Sequence, residues 1–397
     1  YLGPENFGLI SYILAFTAIF GGIAKMGLDA ILVRELINYP EKEDTYLGTA
    51  FWLKVFGAAI VILIVTLILP FTNNNSLTNF YISIISFALI FQSFEVIEFY
   101  FQSQVMAKVI SICKVIQLLI SSIIKIYLIL NKAELFYFIL VIAFDMLSLA
   151  VSYAIAYSIK KENSVFFIKF DFKIAKKLLN SSWPLILTTV FTMLYSRIDQ
   201  VMINTMLGEY EVGLYSASIK ITESWLFVPV IISASVFPAI LSAKIKSKSQ
   251  YKEYILNLYT FIVVLSLIIC ASIMIFSELI VNILFGEQYI GGVNVLAIRI
   301  WETFFAAIGV VSSKWLISEN LQRFTLHIVL IGALLNIILN YFMIPIYGIE
   351  GAAFASLISI ICTVIILPYF NSFLREDVVI KVKAIFLFSL YRKLRNL

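Results

Sequence analysis

Two stretches decide the fold: LGPENFGLISYILAFT at Leu2–Thr17 and LGEYEVGLYSASIKIT at Leu207–Thr222. Leu2, Gly3, Gly8, Leu9, Ser11 and Thr17 recur as Leu207, Gly208, Gly213, Leu214, Ser216 and Thr222, every pair 205 residues apart. In each copy the motif opens a long apolar run, so it joins two hydrophobic helices. A joint repeated at this distance points to a duplicated helical bundle. Two like halves facing each other across a central cleft are a frequent layout in secondary transporters.

Composition agrees. Hydrophobic residues make up 61% of the 397, charged residues 13%, and the mean hydropathy is +0.99. That much apolar surface calls for lipid as the solvent. A crossing helix needs about 20 apolar residues, and eleven such runs are legible, near 7–28, 46–70, 77–101, 109–130, 134–159, 183–207, 212–242, 253–276, 293–317, 324–346 and 350–374. In hydrocarbon the backbone must satisfy its own hydrogen bonds, so these runs are expected to be helices. The short alternating segments of a membrane barrel are absent from the sequence. The predicted class is an all-α polytopic membrane protein. The copy at 207 follows a full span at 183–207, whereas the copy at 2 follows nothing in this sequence. The repeat therefore predicts one further span ahead of Tyr1 and twelve in all. The expected organisation is an N-terminal lobe at 1–159, a cytoplasmic linker at 160–182, a C-terminal lobe at 183–374 and a basic cytoplasmic tail at 375–397.

The 29 Lys and Arg set the orientation. They crowd into 160–182 (Lys160, Lys161, Lys169, Lys173, Lys176, Lys177), 243–252 (Lys244, Lys246, Lys248, Lys252) and the segment after the last span. The loops of the opposite side hold only Lys132. Positive loops stay cytoplasmic, so this sequence starts outside and ends inside. The same loops account for the net charge of +5, which attraction to anionic inner-leaflet lipid explains better than nucleic-acid binding does. The tail mixes Ile380, Val382, Ile385, Phe386, Phe388 and Leu390 with cations, the pattern of a helix lying on the inner membrane surface.

Ionisable groups inside the spans are costly and mark function or pairing. Lys25, Lys114, Lys125 and Lys314 sit near span ends, where long side chains reach the headgroups. Lys54 lies deeper. Arg197 and Asp199 stand near the middle of 183–207, two apart, so they do not face each other. Lys220 with Glu223, and Arg299 with Glu302, are spaced for pairing along one helix. The substrate-binding candidates are Arg197, Lys220, Arg299 and Lys54, because an arginine fork suits phosphate oxygens. The ion-coupling candidates are Asp145, Asp199, Glu223, Glu95 and Glu98. Glu95 and Glu98 share a helix face and can also pair with Lys108 or Lys114, and Asp145 has no cation nearby in sequence. Pro229, answered near the same depth in the first copy by Gly21 and Gly22, marks a candidate hinge.

Other chemistries find little support. One histidine, His327, cannot build a zinc site, and no phosphate-loop or Ser-His-Asp pattern is present. Cys113, Cys270 and Cys362 lie inside spans and read as small buried residues. No catalytic residue, metal or organic cofactor is expected, with H⁺ or Na⁺ as the only coupling partner. A membrane-embedded glycosyltransferase or polymerase would want a large outer loop with acids or histidines, and every loop here is short.

YLGPENFGLISYILAFTAIFGGIAKMGLDAILVREL (Tyr1–Leu36), YSRIDQVMINTMLGEYEVGLYSASIKITE (Tyr195–Glu223), LFGEQY (Leu284–Tyr289) and NIILNYFMIPIYGIEGAAFAS (Asn336–Ser356) resemble the Wzx-type polysaccharide flippases. The resemblance runs over almost the whole chain. It implies the exporter superfamily that also holds multidrug and toxin extruders and peptidoglycan lipid flippases, with two six-helix lobes around a central cavity; the family's first helix is the one not included in this sequence. It further implies an inner-membrane protein that is not an enzyme. Such a protein flips undecaprenyl-pyrophosphate-linked oligosaccharide repeat units by alternating access, for O-antigen or capsule synthesis, alongside a polysaccharide polymerase and a chain-length regulator. Arg197 and Asp199 stand in the family's RxD-like stretch. An ion-coupled multidrug exporter of the same fold is the alternative.

Overall fold

The computed structural model describes residues 2–161 and 166–386, and among them there are helices and no strands. The helices run in the order α1 (Gly3–Ala24), α2 (Asp29–Asn38), α3 (Glu43–Ile68), α4 (Ser76–Ala88), α5 (Glu95–Ser103), α6 (Ala107–Leu130), α7 (Leu135–Lys160), α8 (Phe172–Leu207), α9 (Glu209–Ser224), α10 (Phe227–Lys246), α11 (Lys248–Ile275), α12 (Ser277–Phe285), α13 (Val293–Ser318), α14 (Arg323–Ile361), α15 (Leu367–Phe370) and α16 (Arg375–Ile385). Nine helical stretches among the described residues are long and apolar enough to cross a membrane. The eleven runs read from the sequence differ from these nine for two physical reasons. The 183–207 run lies in α8, a full helix whose Asn180, Ser181, Ser182, Thr188, Thr189 and Thr192 dilute its hydropathy. The 324–346 and 350–374 runs form one stretch, Arg323–Phe370, folded at Gly348, where φ is +60°.

The chain divides into two compact units. One comprises residues 1–2 and 9–198, the other Gly3–Gly8 and 199–397. The division falls within α8, between Ile198 and Asp199, rather than in a loop.

In the first unit the core gathers Leu28, just ahead of α2, with Leu32, Leu47, Phe51, Val96 and Ile97 from α2, α3 and α5. Residues 166–171 pack on α3. A Cβ at Gly48 would lie 2.1 Å from the carbonyl oxygens of both Phe166 and Lys169, Trp52 donates to the Phe167 carbonyl at 2.8 Å, and Phe51 meets the Phe167 ring at 5.0 Å. Among the described residues, three lysines of the basic cluster at 160–182 are tied to acids of the same unit. Lys161 reaches Glu43 at 2.5 Å, Lys169 reaches Asp44 at 2.9 Å, and Lys177 pairs with Glu35. Burial opposes the charged form of Lys161, but the hydrogen bond and charge of Glu43, together with the charges of Tyr157 and Asp44, outweigh it and raise the pKa of the lysine.

The second unit holds the repeat contact. Gly3 and Gly208 both take left-handed backbone, φ +70° and +100°, at the turn into α1 and α9. Five residues on, the two copies touch. A Cβ at Gly8 would lie 1.8 Å from the Glu209 oxygen, and one at Gly213 would lie 1.9 Å from the Pro4 oxygen. Pro4 and Glu209 are themselves 205 apart, so each copy makes the same contact with the other. This is the reciprocal pairing expected of a two-fold relation. It also gives the two glycines a reason: small residues let membrane helices approach backbone to backbone. The LFGEQY stretch supports the joint, with Phe7 packed 6.2 Å from Phe285 and 6.1 Å from Tyr289.

The core of the second unit lies among α11, α13 and α16, around Tyr259, Ile262, Ile300, Ala307 and Val311. The tail corrects an expectation. Over Arg375–Ile385 it is not a helix resting on the membrane surface but part of this core, with Val378, Ile380, Lys381 and Ala384 buried. Lys381 and Asp377, each 1% exposed, pair at 2.6 Å. Asp377 accepts from Tyr259 and Ser312, both at 2.6 Å, and Lys381 donates at 2.9 Å to the Val364 carbonyl. That carbonyl lies in a π-helical turn, Cys362–Ile366, whose wider pitch disturbs the regular ladder. Residues 387–397, with Phe388 and Leu390, lie outside the described residues.

Gly8→Ala and Gly213→Ala are each expected to destabilise the protein by roughly 1–3 kcal/mol through overpacking, read as a fall in thermal midpoint in detergent. Gly21→Ala, which meets nothing within 4 Å, is expected to leave the midpoint near wild type.

Candidate functional site

Each unit carries its own set of charges inside the membrane-crossing helices. In the first, Lys54 of α3 is 1% exposed and pairs with Glu95 of α5 at 2.7 Å, its ammonium 5.0 Å from the centre of the Phe99 ring. Glu98, one turn on, accepts from Tyr153 at 2.6 Å and from Lys114 at 2.8 Å. Asp145 of α7 accepts from Lys125 and Ser121 of α6, both at 3.0 Å. Asp145 therefore has a cation after all, on the neighbouring helix and 20 residues away in sequence. Pairs formed between helices do not show in the spacing along one helix. Glu95 and Asp145 line one open cavity of about 660 Å³ together with Gln92, Gln117 and Tyr153. Among the described residues, buried Gln92 Oε1 and Asp145 Oδ1 have no hydrogen-bond partner.

The second unit concentrates its charge at Asp199 of α8, 4% exposed. Its Oδ2 accepts from Tyr215 of α9 and Ser356 of α14, both at 2.5 Å, and its Oδ1 accepts from Asn340 of α14 at 2.7 Å. Arg299 of α13 reaches Oδ2 at 3.4 Å and donates to the Tyr215 hydroxyl at 2.5 Å. The same guanidinium meets Glu302 at 3.0 Å, one turn along α13. Asn336 donates to Ser356 at 3.2 Å and accepts from Asn340 at 3.2 Å, which completes a polar layer inside an apolar bundle. Gln200, next to Asp199, donates to Ser216 of the repeat motif at 2.7 Å.

Of the four substrate-binding candidates, Lys54 and Arg299 are thus buried and engaged with carboxylates of their own units. Lys220 is exposed on α9, and Arg197 is partly buried at the end of the first unit's share of α8. Glu223, one turn past Lys220, is partly buried. The hinge candidates lie near real breaks. The helix of the first copy stops after Ala24, and Met26 and Gly27 take positive φ (+55° and +58°). The helix of the second copy breaks at Trp225–Leu226, and Pro229 stands in the first turn of α10, where a missing N–H leaves no helical bond unmade. Gly21 and Gly22 are within α1, and a Cβ at Gly22 would lie 3.1 Å from the Val190 backbone.

Tyr215, Asn336, Asn340 and Ser356 were not singled out by sequence. A signal existed for the asparagines: two amides four apart in the apolar run NIILNYF share one helix face.

These features define an all-α, polytopic membrane protein with the fold of the multidrug transporters. An inward-facing multidrug resistance MATE family transporter matches 99% of this chain and 92% of its own with a TM-score of 0.74 at 14% identity. The lipid II flippase MurJ, in an inward closed conformation, matches 98% and 93% with a TM-score of 0.69 at 16% identity. The chain itself belongs to the family described as polysaccharide biosynthesis protein, whose model matches residues 1–294. A Haloferax volcanii protein named as a probable low-salt glycan biosynthesis flippase, Agl15, is 27% identical over 205 residues, 51% of this chain and 43% of that protein. A Shigella flexneri protein named as an O-antigen transporter is 24% identical over 218 residues, 54% and 51% of the two chains. The aligned stretches span about half the length of these curated relatives.

Removing one member of the Lys54–Glu95 pair strands a buried charge. Glu95→Ala, which leaves buried Lys54 without its carboxylate, is expected to destabilise by about 3–5 kcal/mol, whereas the double change Lys54→Met with Glu95→Leu is expected to recover most of it. Thermal midpoints of the three proteins in one detergent check this.

Proposed function

We propose that this protein is a flippase for lipid-linked oligosaccharides. In this reading it carries undecaprenyl-pyrophosphate-linked repeat units from the cytoplasmic to the outer leaflet of the inner membrane by alternating access. The single observation that carries the reading is the family match over residues 1–294; relatives named as a glycan flippase and an O-antigen transporter support it. The protein acts as a carrier and makes or breaks no covalent bond. Its C-terminus is cytoplasmic, on the side of the basic loops, and it hands its cargo to a polysaccharide polymerase and a chain-length regulator.

The physics of the cargo sets the task. A pyrophosphate and its sugars need hydrogen-bonding, cation-bearing surroundings, while the prenyl chain stays in lipid. Lys220, exposed on α9, and Arg197, partly buried on α8, are the proposed phosphate contacts, whereas Lys54 and Arg299 are buried. Alternating access requires a ligand that favours each state by a modest difference. Coupling to H⁺ or Na⁺ would supply direction, with Glu95 and Asp145 around the cavity of the first unit and the charge cluster around Asp199 in the second as the proposed sites.

Proteoliposomes loaded with a fluorescent polyprenyl-pyrophosphate sugar test the reading: leaflet translocation above empty vesicles is expected. No translocation, together with robust efflux of cationic drugs, would replace it with a multidrug exporter. Arg197→Ala is expected to slow translocation by roughly ten- to hundredfold, the worth of one charge-assisted hydrogen bond of about 1.5–3 kcal/mol, with membrane insertion unchanged. An unaltered rate would remove Arg197 from the site.

A further inference from the structure

We infer that Glu302 is a proton-binding residue: of the two carboxylates that share the buried Arg299 guanidinium, it is the one that takes up and releases a proton. The charge count starts the argument. Arg299 is 5% exposed and lies 3.4 Å from Asp199 and 3.0 Å from Glu302. One cation faces two acids. With both ionised, the cluster would hold an excess negative charge inside a membrane-crossing bundle, where the low dielectric makes it expensive. One added positive charge removes the excess.

The hydrogen bonds say which acid receives it. Every bond to Asp199 is donated to it: Tyr215, Ser356, Asn340 and Arg299 place four donors on two oxygens. Ser356 has its own proton free to give, because it accepts from Asn336. That arrangement suits a carboxylate and would be broken by a proton on either oxygen. Glu302 differs. Among the described residues its polar neighbour within ion-pair range is Arg299 Nη2, and its side chain keeps 16% of its surface accessible, against 5% for Asp199. It has both the spare capacity and the access for proton exchange.

Among the described residues, the charged and titratable groups nearest Glu302 are Arg299 on its own helix, Asp199 on α8, and Tyr215 and Glu223 on α9. Of the other cations on those helices, Lys220 is exposed and Arg197 lies on the first unit's side of the division in α8. On the same face of the bundle α14 contributes the amides Asn336 and Asn340, whereas its charged residues Arg323, His327 and Glu350 lie at its start and beyond Gly348. The stretches Phe227–Ala243 of α10 and Tyr254–Ile275 of α11 contain no charged residue. The acids Glu278 and Glu287 sit at the start of α12 and in the turn after it, and Asp377 of α16 is taken up by Lys381, Tyr259 and Ser312. A second full cation at the Glu302 oxygen would stand beside the guanidinium and be repelled by it. A proton bonds to the oxygen and leaves an uncharged acid.

The step balances simply. A carboxylate oxygen takes a proton from water and becomes a carboxylic acid, the reverse returns it, and no other bond changes. Ionised Glu302 competes with Asp199 for Arg299, and protonated Glu302 leaves the guanidinium to Asp199. Two protonation states thus favour two arrangements of one buried arginine, which is the differential a coupled carrier needs. The link to transport rests on the flippase reading; the protonation does not.

The test uses the full chain in liposomes. Infrared pH titration is expected to show a protonated-carboxyl band that is lost in Glu302→Gln, kept in Glu95→Gln, and shifted but present in Glu302→Asp. In the same liposomes an inward-to-outward pH gradient is expected to alter the translocation rate of the polyprenyl-pyrophosphate sugar. Glu302→Gln should reduce that gradient response by about tenfold, a usual size for coupling between sites. A titrating band that survives in Glu302→Gln, or no titrating band in the wild type, overturns the proposal. A band that obeys Glu302 in a protein that flips no sugar leaves the proton site standing and removes the flippase reading instead.

Discussion

Hydrocarbon leaves two kinds of group no escape, the peptide unit and the ionised side chain, and both constraints are visible throughout this molecule. The peptide constraint makes every apolar run a helix. The charge constraint then binds those helices together, because an ion in the middle of one helix must find its counter-ion on another. Lys54 with Glu95, Lys114 with Glu98, and Lys125 with Asp145 each join two helices of the first unit. Arg299 joins α13 to α8 and, through the Tyr215 hydroxyl, to α9. These contacts are poor investments as stabilisers, since apolar replacements of buried pairs are often as stable. Their persistence in a bundle that is otherwise 61% hydrophobic argues that the charges are kept for what they do or for the arrangement they specify.

The repeat shows how far a short pattern reaches. A glycine at the turn and a glycine five residues later recur because both are needed twice: one for left-handed backbone, one for a contact that leaves no room for a Cβ. The reciprocal approach of Gly8 to Glu209 and of Gly213 to Pro4 turns six identities in a sequence into a symmetric packing contact. It also explains why the first six residues of α1 group with the second unit while the rest of the helix groups with the first.

Legibility followed range. The class, the helical runs, the repeat and the Arg299–Glu302 pair were readable because each depends on composition or on neighbours within one or two helical turns. The contacts of Asp199 were not, because they come from residues 16, 100, 141 and 157 positions away. The same holds for Asp145, which looked bare along α7 and is held by Lys125 from α6. The docked tail was misjudged for a related reason. Alternating apolar and basic residues fit a lipid surface as well as a protein groove, and only Asp377, buried beneath Tyr259 and Ser312, separates the two. A lysine with a buried partner does not need a lipid phosphate.

The two units manage charge differently, and that difference bears on function more than the number of charges does. In the first, each of the three intramembrane acids described above has its own lysine. Such pairs are neutral as they stand. In the second, one guanidinium serves two carboxylates, so the cluster is balanced only when something else is bound. The two units balance charge differently: the first pairs its acids and lysines one to one, the second sets two carboxylates against one arginine. A carrier that must alternate between states needs at least one element whose energy responds to what is bound, and among the described residues the shared arginine meets that description better than any of the one-to-one pairs.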